Sequence, residues 1–394
     1  MNRFPDYSRS IVALSAAIAR YFGVDAATDG PASRRLARLP ELDAALSPCP
    51  ERVILLAFDG LGVAQLERYL PPDAFLRRHL AAGIDSVFPP TTAAGMNGIY
   101  SGMTPAEHGW LGWSLHFREA GRAVDVFPRA DSITKESVLP YFDPWKILEY
   151  RPLLDAIDPE RASVAFVSPA GISIPGSDAR HVEAKTLEEW CAAVLECAGN
   201  AESVKCFTLG YWPEPDYALH RAGPDSSEAR SRVRDIDARV EALSRALSSR
   251  DLLVVTADHG HADVTRYVDI GAIEGLSECL VVPPFLEARA AMFFVRAERR
   301  SEFERLFVRE FGADFRLLSR ADILREEPFG PFIRAHARTG DFIGDYLAVA
   351  TGSRALKQYA PRNDHSFDFP SHHAGLTEEE RVVPLVLYAG TNKG

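Results

Sequence analysis

The chain has 394 residues with 46% hydrophobic and 10% aromatic content, ordinary values for a soluble globular protein, and is long enough for one large or several smaller domains. Its 44 Lys and Arg against 55 Asp and Glu leave a formal charge of −11, which argues against coating a nucleic-acid polymer. An anionic substrate must therefore meet locally concentrated positive charge, and a bound cation is one source of it.

Cys49, Cys191, Cys197, Cys206 and Cys279 form an odd set without a Cys-x-x-Cys pair, so neither a disulfide scaffold nor a zinc ribbon is indicated, and a cytoplasmic compartment fits. No apolar run approaches the roughly 18 residues of a bilayer span. The first apolar stretch, 11–19, lies behind Arg3 and Arg9 and admits a reading as a signal-peptide core. Ile11, Leu14, Ile18 and Phe22 nevertheless share one helical face, with Ser8 to cap the start and Gly23 to end it, which predicts an amphipathic helix packed on the body.

From residue 51 short apolar runs alternate with amphipathic stretches, the pattern of strand, crossover helix and parallel strand. Strands are predicted at 53–58, 86–88, 163–168, 204–209 and 252–257, with helices at 63–82, interrupted by Pro71 and Pro72, and at 187–198. Between 227 and 248, Val233, Ile236, Val240, Leu243 and Leu247 recur at helical spacing, which predicts a crossover helix on the sheet in preference to a homodimer seam. The texture changes over 265–360, with a predicted strand at 291–295, a helix at 301–311 and a strand at 346–350, before a last apolar strand at 382–388. The expected architecture is α/β: a mostly parallel central sheet flanked by helices, built from 51–264 and 361–394. A lead-in over 1–50 packs on it, and a small α+β cap lobe, 265–360, is inserted.

Three apolar strands each run into a carboxylate, Asp59, Asp216 and Asp258. The carboxyl ends of strands in such a sheet form its ligand-binding edge. Any one of these aspartates is an ordinary turn residue; three at one edge make a site. His259 follows Asp258, His220 lies four residues after Asp216, and His372-His373 precedes the last strand. Carboxylate oxygen combined with imidazole suits zinc or manganese better than calcium or copper.

Taken with Phe88-Pro-Pro-Thr-Thr92, Ser101-Gly-Met-Thr-Pro-Ala-Glu-His108-Gly, Pro215-Asp216-x-x-x-His220, Thr256-Ala-Asp258-His259-Gly260 and His373-Ala-Gly-Leu-Thr, these residues resemble the alkaline phosphatase superfamily. Within it they are most similar to the type I phosphodiesterase/nucleotide pyrophosphatase branch, in the order that branch requires, over 51–263 and 363–390. The resemblance implies two divalent metal ions, zinc before manganese. Asp59, Asp258, His259 and the Thr92 hydroxyl would hold one; Asp216, His220 and His373 the other. His373 is preferred to His372 because Ala-Gly-Leu-Thr follows it. Thr92, placed to begin a helix, is preferred to Thr91 as nucleophile.

The implied activity is hydrolysis of a phosphodiester or nucleotide pyrophosphate bond in a small-molecule phosphate ester, through a phosphothreonine intermediate. The alternatives are a monoesterase or phosphonate hydrolase on the same fold, or a non-catalytic metal-binding interaction protein. Gly95 stands where relatives commonly carry an asparagine that binds a phosphoryl oxygen, which leaves Asn97 as the amide offered to substrate. Trp212, beside Tyr211, is the aromatic predicted to stack on a base or choline-like group. His261 replaces an apolar residue of relatives, while His108, Trp110 and Trp113 read as structural and Arg289 as a surface cation.

Overall fold

Strands rich in Val, Leu and Ile, buried on both faces, form the centre of the computed structural model, which describes residues 3–24, 39–199, 205–357 and 368–391. The main sheet has seven strands in the order Leu80–Asp85, Val382–Ala389, Asp251–Thr256, Arg52–Phe58, Lys205–Trp212, Ala162–Pro169, Arg180–Ala184. Val382–Ala389 is antiparallel to both neighbours, and the other pairings are parallel. Leu80–Asp85 takes the edge position expected of 86–88. Pro89 and Pro90 lack the N–H that a ladder needs, and the chain beyond Asp85 leaves the sheet toward the site.

Val233, Ile236, Val240 and Leu243 of helix Ser227–Ser244 are buried in the main core, so this face is used inside the fold as a crossover. Helix Ile11–Tyr21 differs from its expectation: all of Ile11 through Ala19 is buried, and its cap is Ser10, whose hydroxyl accepts from Val12 N and Ala13 N. Ser8 lies in the preceding 3-10 turn. Ser15 Oγ donates to Ile99 O at 2.8 Å, which docks this buried helix against helix Thr92–Ser101. The N-terminal segment thus forms a shelf behind the residue predicted as nucleophile.

A second seven-stranded sheet runs Phe315–Ser319, Tyr346–Ala350, Ala290–Phe293, Phe285–Leu286, Ser114–Phe117, Arg122–Asp125, Ala130–Asp131. The stretch 265–360 expected as the cap supplies four of these strands. The other three come from 114–131, which the sequence reading had placed in the main body. Phe303, Phe307 and Phe311 of helix Arg300–Phe311 bury one face against this sheet. Arg289, expected at the surface, is fully buried. It donates to Glu380 Oε1 at 2.6 Å and Oε2 at 2.9 Å, and to the carbonyls of Gly352 and Arg354. A buried guanidinium needs such partners, and these tie the second sheet to the start of the last main-sheet strand.

Candidate functional site

The carboxyl ends of three central strands deliver the acids. Asp59 follows Arg52–Phe58, Asp258 lies just beyond Asp251–Thr256, and Asp216 opens helix Asp216–Ala222 after Lys205–Trp212. Backbone bonds fix two of them: Asp59 N donates to Trp212 O at 2.9 Å and Asp216 N to Asp59 O at 3.0 Å. Gly60 turns the chain at φ +72°, and its N–H reaches Asp258 Oδ1 at 3.3 Å. A Cβ on Gly60 would lie 3.0 Å from Asp216 Cα and His261 Cδ2, so glycine lets the loops close together.

Around Thr92, His259 and Asp59 the separations form one cluster. Thr92 Oγ1 lies 3.2 Å from His259 Nε2 and 3.4 Å from Asp59 Oδ2; His259 Nε2 lies 3.2 Å from Asp59 Oδ1 and 3.6 Å from Asp258 Oδ2. Around Asp216 Oδ1 there is a second, with His220 Nε2 at 3.3 Å and His373 Nε2 at 3.8 Å. Ligands on a tetrahedral zinc at about 2.0–2.2 Å stand roughly 3.3–3.6 Å from one another, and the separations in the two clusters, 3.2 to 3.8 Å, lie around that spacing.

The ring nitrogens agree. Nδ1 of His220, His259 and His373 faces the backbone carbonyls of Ser371, Gly260 and Pro90 at 3.0–3.1 Å, so each ring donates there and turns Nε2 toward the acids. In His372, Nδ1 accepts from His373 N at 2.8 Å. The same Nδ1 lies 3.1 Å from the His373 carbonyl, so His372 also has a tautomer that leaves Nε2 bare, and His220, His372 and His373 together form a candidate metal-holding group.

Burial makes the unpaired charges costly. Asp258 Oδ2 is buried without a hydrogen-bond partner. Burial first, then the negative charge of Asp59, holds the Asp258 carboxyl well above the usual range; burial and Asp216 raise Asp59. Burial opposes the His259 imidazolium, yet Asp258, Asp59 and Asp216 outweigh it and push this histidine up to about 10. Asp216 also pays for burial, but His220 and then His261 hold it well below the ordinary value. Three carboxylates enclosed with an orphaned oxygen, and imidazoles whose Nε2 points at them and would give up a proton to a cation, are a donor set that fits divalent cations of the zinc class.

Thr92 also borders a cavity of about 300 Å³ walled by Met96, Tyr100, Trp113, Phe127, Trp145 and Tyr211, without a charged side chain in its lining. Tyr211 Oη donates to Asp59 Oδ2 at 2.5 Å, joining this wall to the acids. Trp212, the predicted aromatic, is not part of the wall; its ring packs on Trp190 with centroids 5.9 Å apart. Successive strand residues point to opposite faces, and it is Tyr211 that faces the site. Asn97 is also displaced from its predicted role. It is fully buried and outside the cavity wall, its Nδ2 donates to Ala93 O at 2.7 Å and its Oδ1 accepts from Tyr150 Oη, so its amide is engaged within the fold. Trp113, expected to pack beside Trp110 and His108, is 38% exposed in the cavity wall. Sequence reasoning missed Trp113, Phe127 and Trp145 as site residues; their aromatic character was the one available signal.

Residues 53–284 match the model of the type I phosphodiesterase/nucleotide pyrophosphatase family. The chain belongs to this family. It is 26% identical over 231 residues to the human bis(5′-adenosyl)-triphosphatase ENPP4, a match covering 54% of this chain and 48% of that protein. The chain thus spans about half the length of the curated relatives it matches. Among solved structures, it resembles human ectonucleotide pyrophosphatase/phosphodiesterase 5 at TM-score 0.62 and 15% identity, over 86% of this chain and 90% of the other. Phosphonoacetate hydrolase from Sinorhizobium meliloti 1021 gives TM-score 0.60 and 20% identity, over 87% and 91%. These neighbours share the alkaline phosphatase-like fold. Among the described residues no helix is long and apolar enough to cross a membrane.

Proposed function

We propose that this family member hydrolyses phosphodiester or pyrophosphate bonds, with Thr92 as nucleophile and two divalent cations, zinc before manganese, as cofactors. The observation that carries this reading is the position of Thr92 Oγ1. It lies 3.2 Å from His259 Nε2 and 3.4 Å from Asp59 Oδ2, at the first turn of a ten-residue helix and on the border of an aromatic cavity. Asp59, Asp258 and His259 would hold one cation with the Thr92 hydroxyl; Asp216, His220 and His373 the other. Bound there, such cations supply Lewis acidity that lowers the hydroxyl pKa and offsets charge on the phosphoryl oxygens.

The chain's own groups do the rest. Asp59 and His259 fix the direction of Oγ1, and the free N–H groups of the helix start face the phosphoryl oxygens. Attack forms the Thr92 Oγ–P bond as the leaving oxygen departs, and water then releases the phosphoryl group from Thr92. The uncharged aromatic wall suits a planar group carried on phosphorus. A nucleotide is one such group, and murine ectonucleotide pyrophosphatase/phosphodiesterase 5 has been solved as an inactive variant in complex with AMP. Five free thiols support a cytoplasmic setting.

The test compares hydrolysis of bis(nitrophenyl) phosphate, a nitrophenyl nucleotide ester and nitrophenyl phosphate by zinc-loaded protein, by Thr92→Ala and by a chelated sample. Diester or nucleotide-ester turnover that falls at least roughly a thousandfold in both controls is expected for a nucleophile and its activating cations. Turnover of the monoester alone would move the reading to a phosphatase. Full metal loading without any cleavage would favour the non-catalytic alternative.

A further inference from the structure

His261 belongs to neither set of cation-holding residues, yet it is the histidine nearest to Asp216. Its Nε2 lies 2.7 Å from Asp216 Oδ1, a hydrogen-bond distance, whereas His220 and His373 stand at 3.3 and 3.8 Å from the same oxygen, the spacing of fellow ligands. A carboxylate oxygen only accepts, so Nε2 carries the proton. In the neutral ring Nδ1 is then an acceptor, and the single hydroxyl hydrogen of the fully buried Ser371 can go to it or to Ala262 O, each 3.1 Å from Oγ. The ring has little freedom to leave: its side chain is fully buried, a Cβ on Gly60 would touch its Cδ2, and Gln65 Nε2 holds its backbone carbonyl at 2.9 Å.

We propose that His261 is a positioning residue for the second cation: the chain Ser371 O–H to His261 Nδ1, His261 Nε2–H to Asp216 Oδ1, locks the Asp216 carboxylate in the orientation that His220 and His373 require. The inference rests on the two-cation reading given above. Asp216 opens a helix whose first turn is partly exposed, so its carboxylate would otherwise rotate. The hydrogen bond from His261 occupies one lone pair of Oδ1 and leaves the other for a cation that His220 and His373 would share. Groups that orient a metal ligand from behind typically change metal affinity about 10- to 100-fold when removed.

The experiment measures zinc binding by competition with a chromophoric chelator, and the visible spectrum of the cobalt-substituted protein, for the wild type, His261→Met, His261→Gln and Ser371→Ala. Two equivalents are expected in the wild type. In His261→Met one equivalent should lose about 10- to 100-fold in affinity while the other is unchanged. The amide N–H of His261→Gln should restore most of that loss, and Ser371→Ala should give a smaller loss in the same equivalent. The cobalt band of that equivalent should shift in His261→Met without losing a nitrogen ligand. If the wild type binds two ions and His261→Met binds both equally tightly, His261 is only packing and the inference falls while the two-cation reading stands. Loss of a nitrogen ligand in the cobalt spectrum would make His261 a direct ligand and overturn the positioning role. A wild type that binds fewer than two ions overturns the two-cation reading and this inference with it. If His261→Met does not fold, His261→Gln and Ser371→Ala carry the same comparison.

Discussion

Gly95 packs directly against Asp258: a Cβ added to Gly95 would stand 2.9 Å from both Cβ and the carbonyl oxygen of Asp258. That carbonyl is pinned from the other side by the Ser86 hydroxyl, so it has no easy retreat. A larger side chain at this position would therefore meet the acid, since the first turn of helix Thr92–Ser101 lies close to it. Gly95→Ala should cost about 1–3 kcal/mol of stability through overpacking, and Gly95→Asn more, with weaker binding in both of the cation that Asp258 would hold. Urea unfolding and zinc competition check this; a Gly95→Asn protein as stable and as well loaded as the wild type would refute the clash.

Removing the cations should destabilise the fold as well as silence it. Asp59 and Asp258 are buried side by side, and the orphaned Asp258 Oδ2 has no protein donor to replace a cation. A ligand at a hundred times its Kd stabilises the native state by about 2.7 kcal/mol. Dialysis against chelator should therefore lower the melting temperature, and zinc should restore it in the wild type but much less in Asp258→Asn. Equal melting temperatures with and without chelator would count against cation binding at this cluster.

Much of the site was legible because each acid follows an apolar run long enough to be a buried strand, and parallel strands bring their carboxyl ends to one edge. Asp59, Asp216 and Asp258 could thus be placed together before any contact was known, and the short spacings of His220 and His259 to them came with the placement. The cavity wall was illegible for the opposite reason. Trp113 N–H bonds Glu287 Oε1, a partner 174 positions away, and the strand beside it joins a sheet completed after residue 280. No local pattern around Trp113, Phe127 or Trp145 records that pairing. Strand alternation puts Tyr211 and Trp212 on opposite faces without telling which of the two faces the site.

Asn97 and Trp113 exchange their expected roles, and each yields a measurement. Asn97→Ala removes the bond to Ala93 O and leaves Tyr150 Oη without its acceptor, which should cost about 1–3 kcal/mol in unfolding experiments. Its KM should stay within about twofold of the wild type, as expected of a group that does not touch substrate. A large KM effect at unchanged stability would return Asn97 to the substrate.

Trp113→Ala should behave in the reverse way. Its ring is partly exposed in the cavity wall, so the fold should tolerate its loss. For aryl or nucleotide diesters KM should rise roughly tenfold, the scale of one lost aromatic stack. A methyl ester of the same phosphoryl group should be affected little. Parallel kinetics on the two substrates decide the matter, and an equal effect on both would place the planar group elsewhere.

His108 sets an acid limit that is independent of the cations. It is fully buried, its Nδ1 accepts from Trp110 N at 3.1 Å, and burial pushes its pKa from the usual 6.5 down to about 3, helped by the charge of His336. The native state therefore keeps this ring neutral where the unfolded chain would protonate it. Below pH 6.5 the unfolded state binds the extra proton, so stability present above that pH is lost as the pH falls toward 3, by up to about 1.4 kcal/mol per unit. His108→Asn keeps an acceptor near the Nδ1 position and cannot take up the proton. Between pH 6.5 and 5.5 the wild type should lose about 1 kcal/mol more than this variant in urea titrations of chelated protein, where acid release of metal plays no part. Parallel pH slopes for the two proteins would show that His108 is protonated in the native state as readily as in the unfolded one.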